Sequence, residues 1–200
     1  MFPVGFAAAS SARVGLFLGM NDAEGAELAS NISILFAGIL SATMGSILMF
    51  TPHDFFPSLF TSDIHVIQMA SSTIPFLAVY VFADGIQVAL NGVLKGCGRQ
   101  AIVMPIVVFA YWIIGVPFAY YNSFEKHDGT TDCGGGDVTC GVRGLVFGMT
   151  VGTWVHFLLL FWVVGVAIRW DLEVVLAQER MALADRGHHG DNKDEGHKVR

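Results

Sequence analysis

The chain has 200 residues and a formal net charge of −6; 54% of it is hydrophobic and only 14% is charged. Soluble domains carry about 25% charged residues, and the mean hydropathy here is +0.58, which excludes a water-soluble globular protein. The acidic balance offers no basic footprint, so nucleic acid is not expected among its partners.

Residues 1–20 are apolar but interrupted by Pro3, Gly5, Arg13, Gly15 and Gly19, and they lack the basic start of a signal peptide. Phe2 to about Ser11 reads as the last part of a helix leaving the membrane, which makes 1–20 a partial helix. A half-span cannot satisfy a bilayer alone, so the chain is expected to be the C-terminal piece of a longer protein. Four full spans follow, at about 31–50, 67–94, 101–124 and 144–168. The first and third carry no charge, the fourth only the titratable His156, and the second a single acid, Asp84. A bilayer core of about 30 Å needs ~20 helical residues. No long alternation of period two points to a β-barrel. The expected fold class is an all-α membrane protein, a helical bundle whose lipid partner is the bilayer itself.

The first span presents two small-residue ridges, Ala37-Ser41-Gly45 and Gly38-Ala42-Ser46, which allow close helix approach. In the second span Pro75 is expected to kink the helix, and Pro117 to act similarly in the third. Asp84 is the most informative residue. A carboxylate in hydrocarbon costs at least about 2.5–3.5 kcal/mol, and such groups mark ion, proton or substrate sites by default. The alternative is polar glue between helices, with the acid protonated and hydrogen-bonded. Tyr80, Gln87 and Asn91 share its helical face, so Asp84, Gln87, Asn91 and Tyr80 form the candidate cation-coupling and substrate site. Phe82, Tyr111, Trp112, Tyr120 and Tyr121 are further candidates for stacking on flat cations, although aromatics at span ends also serve as interfacial anchors.

The loop after Phe124 is polar and glycine-rich and holds Cys133 and Cys140. A disulfide between them is favoured over free thiols or a metal site with His127, because recognisable metal-ligand spacing is absent. Cys97, between Gly96 and Gly98, is expected to stay reduced. The fourth span opens with the ridge Gly144, Gly148 and Gly152, read as packing, and carries His156 one turn after Thr153. Residues 171–186 read as an amphipathic helix on the cytosolic surface, and 187–200 as a disordered tail. Nine Lys and Arg flank one side of the alternating spans and two, Lys126 and Arg143, the other. The basic side, with the C-terminus, is therefore expected in the cytosol of a plasma or vacuolar membrane. GCGRQ lacks the GK[ST] ending of a phosphate loop. With no ATPase motif and no nucleophile–base pair, no enzyme, catalytic residue, metal or organic cofactor is expected.

Several stretches carry a family resemblance. Arg13-Val14-Gly15 with Leu18-Gly19-Met20-Asn21 resembles the "RVGNxLGAGN" stretch of multidrug and toxic compound extrusion (MATE) transporters. Leu59-Phe60-Thr61-Ser62-Asp63 with Val66 is similar to their "lFTsDxxV" loop. DGIQVALNGVLKGCGRQ, Asp84 to Gln100, resembles "DxxQxvxxGvlRGcGrQ", and YWIIGVPF, Tyr111 to Phe118, resembles "yYvvGlPl". Gly144-Leu145 and Gly148 resemble "GLWxG", with Val146 and Phe147 departing from it. The resemblance implies the C-terminal half of a twelve-helix antiporter, from the end of helix 8 through helix 12. It also implies xenobiotic or organic-cation efflux in exchange for protons or sodium, with Asp84 at the family's coupling acid and a missing N-terminal lobe as partner. Two alternatives accompany that function: a non-transporting lobe acting as an interaction subunit, and a lipid-linked flippase of the same superfamily.

Overall fold

A computed structural model describes the backbone of residues 2–127 and 141–198, and the side chains of 4–126 and 141–184. There is no strand among the described residues. Helix α1 (Phe2–Gly19) turns into α2 (Ala23–Phe50). The turn is made by two adjacent residues. Asn21 takes the left-handed conformation, φ 63°, which asparagine tolerates better than most residues, and the Asp22 carboxylate then accepts the Gly25 N–H at 2.9 Å as the cap of α2.

Two short helices, α3 (Phe55–Ser58) and α4 (Ile64–Ser71), lead into α5 (Ile74–Gly96). Here the sequence expectation is corrected. Pro75 does not kink a span; it sits in the first turn of α5, after a break at Ser72 and Thr73. A first-turn N–H has no intrahelical acceptor, so proline is tolerated there without loss. The second span is consequently 74–96, with α4 as a separate element.

The third span is composite. It comprises α6 (Gln100–Val107), a π-helical segment (Val108–Gly115) and α7 (Val116–Ser123). Pro105 lies within α6 and Pro117 in the first turn of α7. Proline offers no N–H to an α-type ladder, and the widened π turns between the two accommodate the register change. The fourth span, α8 (Val142–Trp162), also ends in a π segment, Val163–Ala167. Ile168 is then extended, and α9 (Trp170–Lys198) begins. The α-helical backbone of α9 runs to Lys198, through residues for which composition predicts no order. The expected Cys133–Cys140 disulfide lies outside the described residues.

Four of these elements are long and apolar enough to span a bilayer: Ala23–Phe50, Ile74–Gly96, Gln100–Ser123 and Val142–Ala167. The chain is an all-α membrane protein. Helix α5 is its axis, 56% buried over its most apolar window against 11% for α2 and for the third span. It packs against α1 and α2 on one side and α8 on the other, and α7 covers α8. Between apolar helices in lipid there is little hydrophobic force, so close backbone contact carries the association. A Cβ on Gly92 would meet the Ala7 carbonyl oxygen at 2.5 Å, and one on Gly96 the Ser11 carbonyl oxygen at 2.8 Å. Across the bundle, Gly152 approaches the Gly115 Cα, 3.2 Å from where its own Cβ would stand. The ridge Ala37-Ser41-Gly45 is buried on α2, whereas Ala42 and Ser46 of the second ridge are exposed.

Candidate functional site

The backbone contacts of α8 with the third span decide where the polar groups of α5 find partners. Asp84 lies midway along α5, partly buried. One turn on, Gln87 donates from Nε2 to the Asp84 carboxylate at 2.9 Å. The same Nε2 lies 3.4 Å from the Tyr111 hydroxyl, and that hydroxyl is 3.1 Å from Thr153 Oγ1. A polar chain thus crosses the bundle from α5 through the π segment of the third span to α8. Gly152 makes it possible: a Cβ there would stand 3.2 Å from the Tyr111 ring, so a larger residue would push the tyrosine away from Thr153.

Several polar atoms along this seam lack partners. Gln87 Oε1 and Asn91 Oδ1 are buried acceptors with no hydrogen bond among the described residues. His156 is 3% exposed, and neither ring nitrogen has a partner among the described residues. Its ring meets the Tyr111 ring edge-on, with centroids 5.6 Å apart. Buried polar atoms in proteins are almost always hydrogen-bonded, so these two oxygens and two nitrogens mark the seam as a place where a polar guest could find partners. Asp84, Gln87 and Asn91 all carry hard oxygen donors of the type that alkali cations accept, and Gln87 turns its Nε2 rather than its oxygen toward Asp84.

Of the four residues singled out from the sequence, the structure joins Asp84 to Gln87 directly. Tyr80 and Asn91 stay on the same face of α5 without a hydrogen bond to that chain. Tyr111 and Thr153 enter as members that helix-face reasoning does not reach, because each stands on a different span. The only local signal is Tyr111 at the start of YWIIGVPF. Among the other aromatics, Phe82 stacks on Trp154 at 6.1 Å, and Trp112, Tyr120 and Tyr121 are 54–70% exposed on the outer surface.

The end of α5 forms a second polar junction. Gly98 adopts φ +70°, a conformation open mainly to glycine, and the Arg180 guanidinium lies against it while donating to the Cys97 carbonyl at 2.8 Å. Arg99 Nε pairs with the buried Glu173 carboxylate at 2.5 Å. Gln178 donates to the Leu18 and Gly19 carbonyls at 3.3 and 3.0 Å, which caps the end of α1. Burial raises the Glu173 carboxyl above its ordinary value despite the two arginines. Cys97 is a free thiol, 2% exposed, with its pKa pushed up to about 12 by burial and by Glu173. Among the described residues no cluster of His, Cys, Asp and Glu could hold a metal ion.

A family profile described as MatE matches residues 1–121. Protein DETOXIFICATION 30 of Arabidopsis thaliana is 32% identical over 184 residues, covering 90% of this chain and 34% of its own length. The probable multidrug resistance protein NorM of Haemophilus ducreyi is 36% identical over 120 residues, 60% of this chain and 26% of its own. The crystal structure of the eukaryotic MATE transporter AtDTX14 superposes with a TM-score of 0.77 at 32% identity, covering 89% of this chain and 37% of that one. The chain spans about a third of the length of the curated relatives it matches.

Proposed function

The chain belongs to the MatE family, and from that premise we propose that it is the C-terminal lobe of a cation-coupled antiporter that exports organic cations or other xenobiotics. Asp84 is the coupling residue in this reading. The observation that carries it is the polar chain Asp84–Gln87–Tyr111–Thr153 crossing the bundle inside a span, together with the unpartnered oxygens of Gln87 and Asn91 beside it. An ionisable group inside a membrane bundle is expected to face such a path. Loading Asp84 with a proton or a sodium ion removes its net charge, and a cationic substrate then has less reason to stay. Unloading restores the anion. That alternation, combined with rocking of one lobe against another, is how repeat-built transporters couple two fluxes.

The related proteins named for detoxification and multidrug resistance support the substrate class. A missing N-terminal lobe as partner, and basic ends of the helices facing the cytosol of a plasma or vacuolar membrane, belong to the same reading. The test is export by the complete protein in proteoliposomes, with the pH and sodium gradients varied separately. Asp84→Asn keeps size and hydrogen bonding and removes the titratable charge, so gradient-driven export is expected to collapse with insertion unchanged. Asp84→Glu keeps part of it. Gln87→Ala and Asn91→Ala act more mildly, since neutral hydrogen bonds contribute about 0.5–1.5 kcal/mol each. Undiminished export by Asp84→Asn, with the same ion dependence as wild type, would reduce the residue to packing and end this reading.

A further inference from the structure

The bundle also has a recess whose lining shares no residue with the chain Asp84–Gln87–Tyr111–Thr153. Glu27, Ser30, Asn31, Ile34 and Leu35 recur at i, i+3, i+4, i+7 and i+8 and so share one face of α2. That face lines a cavity of about 270 Å³, closed by Leu90 of α5, by the π segment after α8 and by Trp170 at the start of α9. Ser30 is 0% exposed, lines the cavity, and its hydroxyl has no partner among the described residues. Glu27 has no ion-pair partner among them either. Gly165 lines it too, and a Cβ there would meet nothing within 4 Å. Around the cavity stand an acid without an ion pair among the described residues, the Asn31 amide and the Trp170 indole, over an apolar floor.

We propose that this recess is a binding site for an ammonium group carried on an amphiphile. Glu27 supplies the counter-charge, the Asn31 side-chain oxygen accepts an N–H group, and the Trp170 ring offers the π face that cations seek. The apolar tail lies along Ile34 and Leu35. The volume falls just below the about 300–1,000 Å³ usual for drug-sized ligands, which fits a headgroup with a few methylenes rather than a whole multi-ring drug. The height of the site agrees with this. Glu27 is in the second turn of a spanning helix and Trp170 follows the last span directly, so both stand where a bilayer's headgroups lie. The inference rests on the membrane setting and not on the antiport reading, and its test involves no transport.

Two sources can supply the chemistry, an aminophospholipid headgroup or a free amphiphilic amine. Native mass spectrometry of the full chain, released from nanodiscs, reads retention of phosphatidylethanolamine against phosphatidylglycerol, which lacks the ammonium. Benzylammonium, a primary ammonium with N–H donors, is the soluble probe. Wild type is expected to retain phosphatidylethanolamine about tenfold better, the scale of one charge-assisted hydrogen bond. Glu27→Gln loses the preference, and Glu24→Gln, another exposed acid one turn earlier, keeps it. Gly165→Leu adds bulk at the lining, where a Cβ meets no atom within 4 Å, and is expected to abolish binding independently of the Glu27 charge. Binding of benzylammonium with this same pattern of variants, without a lipid preference, upholds the site and assigns it to a free amine. Equal retention of both lipids with no binding of the soluble probe, or binding unchanged by both Glu27→Gln and Gly165→Leu, overturns the proposal.

Discussion

Tyr111 joins the two halves of the polar chain, because its hydroxyl is the one atom within reach of both Gln87 and Thr153. Tyr111→Phe removes that link and keeps the ring packed on His156. Export by the complete protein is expected to fall by about three- to tenfold rather than collapse, the scale of one or two neutral hydrogen bonds. Thr153→Val is expected to give a similar loss, and the double variant little more than either single one, since the two share one interaction. Additive losses would mean that the two residues act separately. Glu173 makes a pH prediction. Burial raises its folded pKa above the ordinary 4.5, so the fold favours the protonated carboxyl. The stability this adds is fully present below about pH 4.5, the unfolded value, and is lost as pH rises through the raised folded value. Thermal unfolding in detergent is expected to show that decline in wild type, and Glu173→Gln is expected to lack it. An identical pH profile in both proteins would show that Arg99 and Arg180 cancel the burial.

At the scale of elements, α5 is held by what it lacks. Its glycines place the Ala7 and Ser11 carbonyls of α1 where side chains would otherwise stand. Gly92→Val drives a branched side chain into backbone that cannot move aside as a side-chain end would. A loss of about 1–3 kcal/mol is expected, as for other overpacked interiors, read as a lowered melting temperature. Gly5→Ala on α1, whose Cβ meets nothing within 4 Å, serves as the control and is expected to be neutral or slightly stabilising. If Gly92→Val melts with wild type, α1 does not depend on this contact. The junction of α9 follows the same logic with polar groups. Gln178 and Arg180 donate to carbonyls at the ends of α1 and α5, so α9 is anchored to backbone as well as through Val174, which joins the apolar core.

For the whole molecule the open question is orientation. Cys97 is the natural probe by position, yet at 2% exposure with its pKa near 12 it holds almost no thiolate, and thiolate is the reactive form. Native protein is expected to resist maleimide at Cys97 from either side of the membrane. In a cysteine-free background, Lys95→Cys in the last turn of α5 and Ser58→Cys in α3, beyond the C-terminal end of α2, place exposed thiols at the two ends of the antiparallel pair α2 and α5. An impermeant maleimide on intact cells is expected to label Ser58→Cys and to reach Lys95→Cys only after permeabilisation. The reverse pattern would invert the orientation drawn from the nine-to-two distribution of Lys and Arg.

The sequence by itself determined that the chain is a helical membrane protein, roughly where its spans lie, that Asp84 is its costliest residue, and which family it resembles. Those properties follow from local composition, since hydrocarbon excludes charge and a helix needs a minimum apolar length. Pro75 was legible as a helix disturbance but not as a helix start, because the preceding residues, Ser71 to Ile74, can continue or break a helix and only their packing decides. The site shows the same division. Asp84 and Gln87 are three residues apart on one helix, so their bond is written in the spacing. Tyr111 and Thr153 stand 24 and 66 residues beyond Gln87. They meet it only because Gly115 and Gly152 let two helices come into backbone contact. Which polar group faces which across that contact is a property of helix rotation and register, which apolar periodicity in lipid leaves weakly specified and which tertiary packing alone decides.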